Sequence, residues 1–140
     1  KRLQLDDFIS LSIKNGIRDN FVAIQFPFNI LKTDAFTKAT QYIDNKFISL
    51  IRATEKYSIK CFTSAPFGQG KINDIKFPAI INESFYGKNN FQKALAFCLS
   101  APNIHTIILG TSKLAHLDDA IETLNYNGHS ETQFYNIFIK

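Results

Sequence analysis

The stretch Phe21-Val22-Ala23-Ile24-Gln25-Phe26, ended by Pro27, is the part of this sequence that decides the fold. It is apolar at nearly every position, whereas a strand with one face in water alternates apolar and polar residues. A continuous apolar run of this length is typical of a parallel strand covered on both faces. The stretch therefore predicts a parallel sheet.

Apolar periodicity on both sides of this strand predicts further helices and strands. They are helices at residues 1–15, 45–57, 91–100 and 114–125, and strands at residues 59–63 and 106–109. Residues 64–90 are predicted as a long loop rich in Gly, Pro, Asn and Lys, and long loops in compact domains are commonly functional. A polar tail with aromatic residues, 127–140, closes the chain.

The order of elements is a helix followed by three strand–helix units. The connections are long enough to require parallel strands with right-handed crossovers. Two α/β architectures fit this order: part of a (β/α)₈ barrel, or a small open doubly wound sheet. The length of 140 residues predicts a single domain over 1–140.

The composition predicts a folded domain without a nucleic-acid partner. Hydrophobic residues make up 45% of the chain and charged residues 20%, and the net charge is +4. The lysines are scattered, with no run of like charge and no basic–aromatic repeat, which argues against nucleic-acid binding. A mildly basic domain also suits a small phosphorylated ligand.

Cysteine and histidine spacing predicts neither a disulfide nor a metal site. Cys61 and Cys98 each lie within an apolar segment, as small core residues do. No C-x-x-C occurs, and the three histidines stand far apart, which disfavours zinc. Because there is no long apolar run and no secretory segment, we expect no membrane association and a cytoplasmic location.

Gly110-Thr111-Ser112-Lys113 lies between a predicted strand and a predicted helix. Backbone N–H groups at a helix N-terminus, together with a hydroxyl and a lysine, form a ready anion site. In (β/α)₈ barrels a phosphate site often lies in the loops after the last strands. The alternative is that Thr111 or Ser112 simply caps the helix.

Gln25 is a lone amide near the end of an apolar strand, where barrel active sites are built. An amide there can pair with both groups of another amide, such as a nicotinamide carboxamide. The alternative is that Gln25 has only a structural role, capping the strand edge.

Three ordered blocks of the sequence resemble the aldo-keto reductase family. Residues 21–29 are similar to the family's strand-six pattern, in which Gln25 is followed by Asn29. Residues 60–70 resemble its strand-seven loop, most closely in the subgroup with Ser-Ala-Pro-Leu-x-Gln-Gly. Residues 94–117 resemble the helix, strand and cofactor loop that end the barrel. The resemblance implies the C-terminal half of a (β/α)₈ barrel that binds NADP(H).

The resemblance also implies roles in the first two blocks. Gln25 would hold the nicotinamide carboxamide. Ser64 falls where many members stack a Tyr under the nicotinamide ring. Pro66, Phe67 and Gln69 would line the pyrophosphate channel.

In the third block, the resemblance places the adenosine end of the cofactor. Gly110, Ser112 and Lys113 would meet the 2′-phosphate, which favours NADP(H) over NAD(H). In the family, the position of His116 is often Arg or Gln, and the position of Asp119 is held by an acid or an amide on the adenine side of the cofactor.

The chain departs from the family pattern in three ways. Ser64 offers no ring, and Ala120 replaces a common Asn. The family's catalytic Asp, Tyr, Lys and His come from earlier strands, so we predict no catalytic residue in this chain. Three strands cannot close a barrel, and the chain starts at Lys1 without a Met. We therefore expect a fragment completed by an N-terminal half-barrel, as another segment of the same protein or as a separate chain.

Two functions remain open. The first is an NADP(H)-dependent oxidoreductase acting on small carbonyl or alcohol substrates, with the chemistry supplied by the other half. The second is a non-catalytic structural or regulatory subunit of a larger assembly.

Overall fold

The computed structural model describes residues 3–126 and 130–138. Its elements alternate between helices and strands, with a short antiparallel hairpin and two 3₁₀ elements inserted. In chain order they are α1 (Leu5–Lys14), a 3₁₀ turn (Arg18–Asn20), β1 (Ala23–Pro27), α2 (Asp34–Thr37), β2 (Ala39–Ile43), β3 (Lys46–Ser49), α3 (Leu50–Lys56), β4 (Lys60–Ser64), a 3₁₀ segment (Gly68–Asp74), α4 (Ala79–Ser84), α5 (Asn90–Ser100), β5 (Ile104–Ile107), α6 (Leu114–Leu124) and α7 (Glu131–Phe138).

The three long-range strands form one parallel sheet in the order β1-β4-β5. The register places Gln25 beside Phe62, and Phe62 beside Thr106. Parallel strands of one sheet end at the same edge, so the loops after β1, β4 and β5 meet there. The α/β fold with parallel strands alternating with helices is confirmed.

Helices cover one face of this sheet. Phe26 of β1 and Cys61 of β4 are buried in the main core, with Ile104 and Ile107 of β5 packed against it. On the opposite face Gln25 and Thr106 are exposed. The prediction that the strand at 21–26 is covered on both faces is therefore wrong for the part of the chain described here.

Aromatic rings fill the space between the sheet and the C-terminal helix. Phe28 and Phe97 stack with ring centroids 5.6 Å apart, and Phe134 of α7 lies 5.0 Å from Phe97 and 6.1 Å from Phe28. Phe36 meets Phe134 edge-on at 4.8 Å. These contacts dock α7 onto the core, so residues 131–138 are a packed helix within the segment predicted as a tail. The parts of that segment at 127–129 and 139–140 lie outside the described residues.

The predicted helix at 45–57 is a strand followed by a shorter helix. Phe47 and Ile48 belong to β3, which pairs with β2 in an antiparallel hairpin. The turn residues Asp44 and Asn45 have φ of 50° and 60°, the left-handed conformation that two-residue hairpin turns require. The helix begins only after Ser49, whose hydroxyl accepts from the Arg52 N–H. The spacing of apolar residues did not distinguish the two structures here, because the adjacent residues Phe47 and Ile48 are compatible with both the helical and the strand period.

Two other boundaries differ from the sequence predictions. The predicted loop 64–90 contains the 3₁₀ segment and α4, both held by short-range backbone hydrogen bonds. The last strand lies at Ile104–Ile107 rather than 106–109. In α1, Leu5, Ile9 and Ser12 are buried, whereas the neighbouring apolar residues Phe8 and Ile13 are exposed.

Within the described residues the sheet ends at β1 and β5, each of which pairs on one side. Next to β5 in the chain, α6 exposes an apolar stripe at helical spacing. Its residues are Leu114, Leu117, Ile121 and Leu124, which are 73, 43, 53 and 65% exposed. Large apolar patches on a protein surface commonly mark an interaction site. None of the helices in the described part of the chain is both long and apolar enough to span a membrane.

Phe134→Ala tests how far the aromatic cluster holds the fold. Removing a buried ring leaves a cavity, and such substitutions cost about 3–5 kcal/mol. We expect a loss of unfolding free energy in that range by chemical denaturation. Phe47→Ala is the matched control, because Phe47 is 63% exposed and should change the free energy by less than about 1 kcal/mol. A small effect of Phe134→Ala would show that α7 does not dock as described.

The two thiols provide a second test of the core. Burial raises the pKa of Cys98 to about 12 and, as the first cause, also raises the pKa of Cys61. Because the thiolate is the reactive form, a thiol reagent at mildly alkaline pH should label neither cysteine in the folded protein and both after unfolding. Rapid labelling of either thiol in the folded protein would contradict this core.

Candidate functional site

A groove of about 490 Å³ lies where the loops after β4 and β5 meet. It brings together eight of the ten residues singled out from the sequence. They are Ser64, Pro66, Phe67, Gln69, Gly110, Ser112, Lys113 and His116. Two segments more than 40 residues apart in the chain thus form one concave surface at the carboxyl end of the sheet.

The first wall of the groove is the β4 loop, residues 65–70. Ala65 and Gln69 have φ of 54° and 58°, in the left-handed region that non-glycine residues rarely adopt. Gly68 and Gly70 share this conformation. Phe67 is buried, with its ring centroid 4.3 Å from that of Phe91 in α5. The loop is therefore anchored by one aromatic residue while Gln69 stays exposed at the rim.

The second wall is the β5 loop, which leads into the N-terminus of α6. Thr111 Oγ1 accepts a hydrogen bond of 3.1 Å from the Lys113 backbone N–H and lies 3.3 Å from His116 Nδ1. Lys113 is the N-cap residue of α6, and no side chain caps this helix. The alternative in which Thr111 or Ser112 caps α6 is thus wrong. Thr111 shapes the turn instead.

Exposed groups on this wall suit a negatively charged ligand. Gly110, Ser112 and Lys113 are exposed, and the helix N-terminus adds a partial positive charge. Among the described residues, the Lys113 ammonium has no ion-pair partner within 4.0 Å. A hydroxyl, a free cation and uncapped backbone N–H groups therefore lie together.

An aromatic pair separates this wall from the body of the protein. The His116 ring stacks on Phe91, with centroids 4.1 Å apart and planes inclined by 27°. Phe91 also contacts Phe67 of the β4 loop. One ring of α5 thus supports both walls of the groove.

Two predicted residues lie outside the groove. Gln25 is exposed on the uncovered face of the sheet, in the middle of β1. The Asp119 carboxylate accepts hydrogen bonds from Asn89 Nδ2 at 3.0 Å and Gln92 Nε2 at 3.3 Å. It therefore joins α5 to α6. Ala120 is buried in the core, 4% exposed.

Sequence reasoning missed several residues of the groove. Gly70, Asn73 and Phe91 line it, as do Ile108 and Leu109. Asn73 lies three residues after Gly70, and its closeness to this glycine-containing segment is a local signal that could have indicated it. Phe91 carried no such signal, because it opens an apolar helix like many core residues.

Comparisons with known proteins place this architecture. No family profile and no curated protein sequence matches the chain significantly. Among solved structures, it is similar to a holo-form aldo-keto reductase from Bacillus halodurans, with 15% identity and a TM-score of 0.61. It is also similar to an aldo-keto reductase from Klebsiella pneumoniae in complex with NADPH, with 15% identity and a TM-score of 0.63. This likeness shows the fold, a partial (β/α)₈ barrel similar to about half of these aldo-keto reductase structures.

The coverage of these matches shows how much of such a barrel the chain contains. They cover 94% and 98% of this chain but only 46% of each neighbour. The chain thus spans about half the length of the solved structures it resembles. Of the two predicted architectures, part of a (β/α)₈ barrel is confirmed.

Proposed function

We propose that this chain is the cofactor-binding part of an aldo-keto reductase-like, cytoplasmic, NADP(H)-dependent oxidoreductase acting on small carbonyl or alcohol substrates. The observation that carries the proposal is the groove that the β4 and β5 loops form together, with the exposed Lys113 at a helix N-terminus. Phosphate groups bind at such termini because backbone N–H groups and the helix dipole both favour negative charge. A similar fold in the Klebsiella pneumoniae structure contains NADPH.

Successive parts of the groove suit successive parts of this cofactor. Lys113, Ser112 and Gly110 would take the 2′-phosphate, because they offer charge, a hydroxyl and close backbone approach at an exposed edge. Pro66, Phe67 and Gln69 would flank the pyrophosphate, and His116 would lie beside the adenosine end. Asp119 would take part on the adenine side while its carboxylate also accepts bonds from Asn89 and Gln92.

The nicotinamide supplies or accepts a hydride when bound. Gln25 would hold its carboxamide from the uncovered face of the sheet, where an exposed amide can both donate and accept. Hydride transfer to a carbonyl also requires a proton donor near the substrate oxygen. We propose that the remaining strand–helix units of the barrel supply that donor, in accordance with the absence of a predicted catalytic residue here.

The same units are the proposed partner of this half-barrel. An eight-stranded barrel has no free edge, whereas β1 and β5 are paired on one side among the described residues. In addition, α6, which follows β5 in the chain, exposes an apolar stripe, and one face of the sheet is uncovered. Burying them against an N-terminal half would remove both from water.

The second candidate function is a structural or regulatory subunit that keeps the fold without catalysis. Two observations favour it: Ser64 brings no ring to the groove, and Asp119 is engaged between α5 and α6. Cofactor binding separates the candidates only in part, since a regulatory subunit can retain the nucleotide. Turnover of a carbonyl substrate by the full-length protein completes the distinction.

Lys113→Ala tests the phosphate site. A hydrogen bond to a charged group contributes about 1.5–3 kcal/mol, which corresponds to a roughly 10- to 100-fold weaker affinity. We expect that loss for NADPH and little change for NADH, which has no 2′-phosphate. Titration of the full-length protein with each nucleotide, followed by nucleotide fluorescence, provides the measurement.

Lys14→Ala is the matched control for this titration, because Lys14 is an exposed lysine at the end of α1, outside the groove. It should leave both affinities unchanged. If the wild-type protein binds neither nucleotide, the oxidoreductase proposal fails. Equal losses for NADPH and NADH would contradict the 2′-phosphate role of Lys113.

Ile121→Lys tests the proposed partner surface in the full-length protein. On a water-exposed helix face such a change stays within about 0.5 kcal/mol. Under an apolar interface it buries a charge, and the loss of unfolding free energy should exceed about 2 kcal/mol. Asp118→Lys, at an exposed position of the same helix, controls for the added charge. An unchanged unfolding midpoint for Ile121→Lys would show that this face is not covered.

A further inference from the structure

A side-chain amide from the loop after β1 holds the β4 loop from behind. Asn29, two residues beyond β1, is only 4% exposed. Its Nδ2 donates a hydrogen bond of 2.8 Å to the carbonyl oxygen of Ala65. Its Oδ1 accepts one of 2.9 Å from the Leu31 backbone N–H. The one amide therefore shapes its own turn and joins it to the neighbouring loop.

The residue that Asn29 holds is in an unfavourable backbone conformation. Ala65 has a φ of 54°, and the left-handed region costs an L-residue with a Cβ about 1–2 kcal/mol. Such a conformation persists only where surrounding contacts determine it. The Ala65 carbonyl accepts from Asn29 Nδ2 and, at 3.0 Å, from the Gly68 N–H. These two donors fix the direction of the peptide that follows Ala65.

Leu31 gives the same loop a second support. A Cβ at Gly68 would lie 3.2 Å from Leu31 Cδ1, so the leucine already packs closely against the glycine. Behind this contact lies a second depression of about 360 Å³, lined by residues of both loops. Ala65 and Gln69 line both this depression and the candidate groove. The β4 loop is thus a thin wall with open space on each side, and its position depends on the residues behind it.

We propose that Asn29 is a positioning residue for cofactor binding, which holds Ala65 in the left-handed conformation and thereby keeps Pro66, Phe67 and Gln69 at the groove. This inference rests on the proposed function. Without the amide, Ala65 relaxes to negative φ, and the cofactor must restore the strained conformation when it binds. Asn29 itself lies outside the groove and acts through the loop.

Three variants of the full-length protein test this. Asn29→Ala removes both side-chain bonds, whereas Asn29→Asp keeps the acceptor for Leu31 but loses the donor to Ala65. We expect each to weaken NADPH binding by about tenfold, the effect of one lost hydrogen bond. Adding Ala65→Gly to Asn29→Ala should restore most of the affinity, because glycine adopts positive φ without a steric penalty.

Asn82→Ala is the matched control. Asn82 Nδ2 donates to the Phe77 carbonyl at 3.0 Å, so the variant loses a bond of the same kind away from the groove. It should keep the wild-type affinity. Affinities are compared at a temperature where circular dichroism shows every variant folded. If the Asn29 variants lower only the unfolding midpoint, or if Ala65→Gly restores nothing, the positioning role is refuted.

Hydrogen exchange separates failure of this inference from failure of the proposed function. In the absence of NADPH, the Gly68 amide should exchange faster in Asn29→Ala than in the wild type or Asn82→Ala, because its acceptor loses a constraint. Equal exchange rates would overturn the inference whatever the protein binds. Absence of NADPH binding by the wild type, with faster exchange in Asn29→Ala, would overturn the proposed function and the cofactor role while leaving the loop clamp itself established.

Discussion

Parallel hydrogen bonding among β1, β4 and β5 is the constraint on which the rest of this structure depends. Parallel strands need crossover connections, so α3 and α5 must return the chain along one face of the sheet. The same pairing gathers the three carboxyl ends at one edge. Loops distant in sequence therefore meet there, and the groove between the β4 and β5 loops is a direct consequence.

The core that supports this sheet is largely aromatic. Phe28, which follows β1 directly, packs with Phe97 of α5 and Phe134 of α7. Phe91 extends this packing to both walls of the groove. Each ring buries a large apolar area, and tilted or edge-on pairs add to that burial. The aromatic packing thus extends from the core to the candidate site, where Phe91 supports both walls.

The site combines a supported wall with an exposed one. The β4 loop is held in left-handed geometry by Asn29 and Leu31 from behind and by Phe67 against Phe91. The β5 loop keeps Ser112 and Lys113 in water at the start of α6. This arrangement suits a ligand with an anionic end. The preorganised β4 loop lowers the entropic cost of binding, and the exposed Lys113 is available to pair with the negative charge.

The sequence by itself determined the parallel strands and the strand–helix order, because apolar runs and loop composition are local signals. A Gly-Thr-Ser-Lys segment indicated one wall of the groove, and the other groove residues that were predicted came from the resemblance to a known family. Sequence reasoning failed at residues 45–57, where neighbouring apolar residues fit a hairpin as well as a helix, and at Thr111, which shapes the turn without capping α6. Only the tertiary structure decided that Gln25 lies on an uncovered face, that Asp119 serves α5 and α6, and that Asn29 holds Ala65. The reason is physical: each depends on which residues distant in the chain become neighbours, and no local pattern encodes that.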